Sequence, residues 1–139
     1  MKVLVLGKAT ERSESGELGS PDEFAAMDKF NQQLVEAGVV LAADWLQPTS
    51  KGKRVAFDAD GNYRVIDGPF AETKELVAGY SIWEVASMDE AVEWLKRAPF
   101  RVSVVELRKI LDLDDFGDFA AEITAAEERS RAETAAAPS

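Results

Sequence analysis

Asp67-Gly68-Pro69-Phe70-Ala71-Glu72-Thr73-Lys74-Glu75 runs directly into Leu76-Val77-Ala78-Gly79-Tyr80-Ser81-Ile82-Trp83-Glu84-Val85, setting a tight bend against a long apolar strand. Pro69 fixes its own φ and restricts the residue before it, and a glycine at 68 relieves that restriction. Asp67 is expected to fold its carboxylate onto nearby backbone N–H groups, with Phe70 anchoring the bend in the core. Glu72, Thr73, Lys74 and Glu75 then face either a cleft or solvent. The stretch therefore reads in two ways, as a well-made turn with solvated charges or as one wall of a site.

Upstream, the apolar run Lys2 to Leu6 ends at Gly7 and predicts a central strand buried on both faces. Lys8 to Gly19 is polar and without periodicity, which predicts a mobile loop. Ser20-Pro21-Asp22-Glu23 opens a helix with a capping box and proline at its first position, and the helix runs to about Ala37 before Gly38. Val39 to Leu46 reads as the next strand. A hairpin follows, Val55 to Phe57 and Tyr63 to Ile66, turning through Asp58-Ala59-Asp60-Gly61-Asn62. Neither that turn nor Asp112 to Gly117 has the spacing of a calcium loop.

Beyond the opening stretch, Leu76 to Ala86 is a strand. Ser87-Met88-Asp89-Glu90 repeats the capping box, and the helix it starts must stop near Arg97 because Pro99 follows. Val102 to Ile110 closes as a strand. Twice, then, the chain runs strand, capped helix, strand, with a hairpin between the halves. This predicts an α+β fold, a ferredoxin-like antiparallel sheet with two helices on one face. Its uncovered face, carrying Trp45, Tyr80, Trp83 and β-branched residues, predicts face-to-face homodimerisation. Residues 1–111 form that domain. Residues 112–139 form an acidic extension, a third amphipathic helix through Phe116, Phe119, Ala120 and Ile123 to about Arg131, with Glu133 to Ser139 fraying.

Composition removes several function classes. The 139 residues, 46 % apolar, suit one core. There is no cysteine and no histidine, so thiolate chemistry, cysteine-ligated metals and Ser-His or Cys-His pairs are excluded, and proton transfer falls to carboxylate, Lys, Tyr, water or a bound group. No metal and no cofactor are expected. The net charge of −10 argues against nucleic acid and anionic membranes as partners. Residues 1–111 carry 18 acids and 14 bases, while residues 112–139 carry 8 acids and 2 bases, so much of the acidity belongs to the extension. Met1 to Gly7 is too short an apolar run for a signal peptide, and a cytoplasmic location is expected.

The string DGPFAETKE, the Gly79-Tyr80 pair in an apolar strand and the short amphipathic helix after it closely resemble the DGPF branch of the YCII-related proteins. The resemblance covers about residues 1–111 and implies a dimeric α+β barrel with a small cleft beside the DGPF loop. Some YCII-related members use a histidine with an aspartate. This chain keeps Asp67 and lacks the histidine, so that mechanism does not carry over. Two functions follow as expectations. In the first, the cleft binds a small molecule or performs cofactor-free chemistry, with Asp67 as base or polar anchor, Lys74 and Thr73 toward an anionic group, Tyr80 as hydroxyl donor and Trp45 as apolar wall. In the second, the dimer is a non-catalytic regulatory module of the sigma-factor-associated type, recruiting a partner through its C-terminal helix.

Overall fold

The computed structural model describes residues 1–136. Its elements are β1 (Lys2–Lys8), α1 (Glu11–Glu14), α2 (Pro21–Glu36), β2 (Val40–Trp45), β3 (Lys53–Phe57), β4 (Tyr63–Asp67), β5 (Val77–Glu84), α3 (Met88–Leu95), β6 (Val105–Lys109) and α4 (Ala120–Ala136). β1 lies between β5 and β6, β2 adds outside β5, and all pairs are antiparallel, giving the order β2-β5-β1-β6. With α2 joining β1 to β2 and α3 joining β5 to β6, this is the split βαβ arrangement that the sequence predicts. β3 and β4 form a separate two-stranded sheet.

β1 is central, but it is buried on one face only. Val3 and Val5 pack with Trp83 of β5, Phe30 and Leu34 of α2 and Ala91 of α3, while Leu4 and Leu6 on the opposite side are half-buried. Alternation with period two produces this split, because the helices cover one side and the described residues leave the other open. Each large apolar side chain buried on the covered side contributes roughly 1.5–3 kcal/mol.

The helices α2 and α3 start as expected, though neither capping box closes. Ser20 accepts from the Glu23 N–H, yet the Glu23 carboxylate turns away to Arg12 at 2.9 Å. Ser87 accepts from the Glu90 N–H, and Glu90 takes the N–H of Ala86 instead of that of Ser87. α2 ends where Gly38 enters the left-handed region (φ 71°) and the N–H of Val39 returns to the Leu34 carbonyl.

Elsewhere the structure departs from expectation. The supposed mobile loop after β1 holds α1, capped by a reciprocal Thr10–Ser13 pair. β6 begins at Val105, three residues late, because Val102 takes a left-handed φ of 49° that interrupts an extended run. The third helix is longer than expected, and the stripe on it is narrower: Phe116, Ala120 and Ile123 are half-buried, whereas Phe119 is exposed. A kink at Gly117 (φ 56°) breaks the turn of Leu113–Phe119 ahead of α4, and its cap Asp112 and first-turn Asp115 are held by the Lys109 ammonium at 3.2 and 2.7 Å. The hydrogen bond from Lys109 lowers the Asp115 pKa, and the bond to Asp115 in turn raises that of Lys109. The expected fraying of Glu133 to Ser139 falls partly within α4, and its last three residues lie outside the described ones.

The bend at residues 67–70 is a clasp. Asp67 does not cap backbone N–H groups; it pairs with Lys53 across the hairpin. The Gly68 N–H donates to the Gly52 carbonyl, and the Gly68–Pro69 peptide is cis. A Cβ on Gly68 would lie 1.6 Å from the Thr49 carbonyl oxygen, so only glycine fits flat against that turn. The Thr49 hydroxyl accepts from the Phe70 N–H and donates to Glu14 of α1. Phe70 is half-buried outside the core cluster, with the Arg54 guanidinium 3.8 Å from its ring centre. Gly68→Ala is expected to cost about 1–3 kcal/mol of stability, read as a lower Tm, because backbone must move. Gly7→Ala, whose Cβ would meet ordinary van der Waals distance, is the control with a smaller shift.

Candidate functional site

α2 presents Phe24, Met27, Asp28, Asn31 and Leu34 along one face, at the i, i+3, i+4, i+7 spacing that aligns side chains on a helix. Between that face and the sheet lies a cavity of about 320 Å³, closed on the sheet side by Trp45, Trp83 and Val5 and at one end by Phe100. This is the lower end of the volumes that hold small organic ligands. Its walls are aromatic and aliphatic, and Phe30 meets Trp83 edge-on with ring centres 6.4 Å apart.

The alternation of β5 turns Gly79, Ser81 and Trp83 toward this cavity. Gly79 pairs with Trp45 across the ladder, and a Cβ there would come within 2.9 Å of the Trp45 ring. The missing side chain thus makes room for the indole over the strand, leaving Trp45 64 % exposed at the mouth. Trp83 is the opposite case: it is 2 % exposed, and its indole N–H is buried without a hydrogen-bond partner.

The five candidate residues of the sequence separate. Trp45 brings its side chain to the cavity. Tyr80 borders it by backbone, since alternation points the side chain to the open face of the sheet, where its hydroxyl donates to Asp44 at 2.8 Å. Asp67, Thr73 and Lys74 are not among the cavity's walls. Asp67 is 74 % exposed beside Lys53, so no protein wall excludes water from it. Thr73 and Lys74 lie in a short 3₁₀ turn, Thr73 half-buried and Lys74 exposed. The cavity therefore opens under α2, away from the 67–75 loop where the resemblance places the cleft. Sequence reasoning assigned Phe24, Met27 and Phe30 to plain core packing and set Trp45 and Trp83 on the uncovered face of the sheet, whereas the period-two alternation of β2 and β5 turns both toward the helices. The α2 stripe was visible, but the gap beneath it was not.

The hydrogen bond to Asp44, then the charge of that carboxylate, raise the Tyr80 pKa above its ordinary value. The neutral phenol is favoured. In an ultraviolet titration one tyrosine step is expected above the usual range, and Asp44→Asn should lower that step.

Residues 1–114 match the YCII-related domain. An uncharacterised protein of Rhizobium meliloti (strain 1021) is 38 % identical over 70 residues, covering 50 % of this chain and 56 % of its own length, so the chain matches little more than half of that relative. Among solved structures, 5-chloro-2-hydroxyhydroquinone dehydrochlorinase from Burkholderia phenoliruptrix AC1100, in complex with 2,5-dihydroxybenzoquinone, is similar at 17 % identity and a TM-score of 0.43, over 83 % of this chain and 99 % of that one. Among the described residues no helix is long and apolar enough to cross a membrane. With the domain match spanning all six strands and the helices between them, the chain belongs to the YCII-related family.

Proposed function

We propose that the chain binds a small aromatic molecule in the cavity between α2 and the sheet. The observation that carries this is the Trp83 indole N–H, a donor sealed in the interior with nothing to accept it. Leaving such a group unpaired costs about 1–3 kcal/mol, and a ligand oxygen that reached it as the neighbouring side chains shift would recover that cost. Phe24, Phe30 and Trp45 supply the surfaces on which an aromatic ring packs. Binding is the activity the site supports. Of the two acids that border the cavity, Asp44 is engaged by the Tyr80 hydroxyl, so a carboxylate base would come from Asp28 on the helix face, while Asp67 lies elsewhere.

The test is a thermal-shift and tryptophan-fluorescence screen of one-ring aromatic amides, phenols and amines. A binder is expected whose affinity falls about tenfold in Trp83→Phe, equivalent to about 1.4 kcal/mol. Circular dichroism checks that the variant remains folded, and Asp67→Ala should bind as wild type does. Equal binding by Trp83→Phe would mean that the N–H is satisfied by the π face of Phe30 and would remove the basis of the reading.

A homodimer through the open sheet face accompanies this reading. Leu4, Leu6 and Ile82 line that face, and the separate hairpin exposes Val55, Phe57, Tyr63 and Val65 on one of its own sides, with Phe57 72 % and Tyr63 71 % exposed. An apolar surface of this kind is costly in water unless covered. Light scattering after size exclusion should give twice the chain mass of 15.2 kDa, and Leu6→Glu should give the monomer.

A further inference from the structure

We propose that the cavity sorts aromatic ligands by charge, admitting neutral molecules and protonated amines and rejecting carboxylates and phosphates. This rests on the binding reading above and on a separate observation, the distribution of charge around the cavity. No Lys or Arg is among its walls. The one charged side chain that the cavity-facing stripe of α2 contributes is Asp28, whose carboxylate accepts from Gln32 at 2.9 Å and retains free lone pairs. Three residues further along that stripe, Asn31 is half-buried, and its amide makes no hydrogen bond among the described residues.

The two polar ends therefore ask for different things. Trp83 donates and cannot accept, so it takes an oxygen acceptor, a carbonyl, ether or phenol among them, and by itself does not tell a neutral oxygen from an anionic one. Asp28 accepts only, and Asn31 does both, so that end takes a hydroxyl or an ammonium. Between them, the faces of Phe24, Phe30 and Trp45 attract a cation and repel an anion. The N-terminus of α2, which would ordinarily draw an anion, is already occupied by Ser20 as cap and by the acids Asp22 and Glu23. An anionic group entering here leaves water and meets no opposite charge. This places Lys74, exposed and outside the cavity walls, away from any role in recognising an anion there.

Three molecules with one ring and one linker separate the charges: 4-hydroxyphenylacetamide, tyramine and 4-hydroxyphenylacetate. Dissociation constants are measured by fluorescence titration on the full chain and on Asp28→Asn. The amide and tyramine are expected to bind at least about tenfold more tightly than the acetate. Asp28→Asn should weaken tyramine by about two- to fivefold, an exposed-pair effect, and leave the amide unchanged. An acetate that binds as tightly as the amide overturns charge sorting while leaving the binding reading intact. A variant that weakens amide and tyramine equally overturns the role of Asp28. If none of the three binds, the binding reading falls and this inference falls with it.

Discussion

The pairing of β1 with two antiparallel neighbours is the constraint on which the molecule depends. With Val3 opposite both Trp83 and Lys109, every alternate residue of β5 and β6 is committed to a face. One face receives α2 and α3 and becomes the core. The other keeps Leu4, Leu6, Tyr80 and Ile82, together with the Tyr80–Asp44 hydrogen bond. A slip of one residue would bring Tyr80 under the helices and expel Trp83. The cavity, its orphan donor and the open surface are thus three results of a single register.

The order of strands and long helices was legible because it is written in local signals: Ser20 and Ser87 as caps, Gly38 and Pro99 as stops, apolar runs between them. What escaped was written elsewhere. The α1 turn relies on Thr10 with Ser13, which matches the geometry of a capping box without its usual acid. β1 reads as buried on both sides because Leu4 and Leu6 are apolar, and a single sequence cannot say whether the second face is covered by its own chain. Phe119 fits a helical stripe, but the Gly117 kink within Leu113–Phe119 takes it out of line with Phe116.

The candidate site was legible in part for a related reason. Trp45 was identified from its type, and its position over Gly79 follows from the pairing of β2 with β5. Asp67 and Lys74 drew attention because charges concentrated beside glycine and proline commonly mark a site. Their density has another cause: Lys53 and Asp67 close the hairpin, and Gly68 and Phe70 lock it to the turn at Thr49. The cavity walls come from α2 residues whose spacing looks like any core-facing helix. Only the separation between helix and sheet distinguishes a packed interface from a vacant one.

The clasp at residues 67–70 also reaches the cavity by a mechanical route. Thr49 joins Phe70 to Glu14 in α1, and Arg12 of the same short helix holds Glu23 in the first turn of α2. The roof of the cavity is therefore tethered at its leading end to a loop that never touches its contents. Such a loop is an outlying brace, linked to the roof through the exposed Arg12–Glu23 pair and making no contact with what lies beneath it. Variants in this loop that alter ligand preference would mimic the loss of an active-site residue while leaving every wall of the cavity in place.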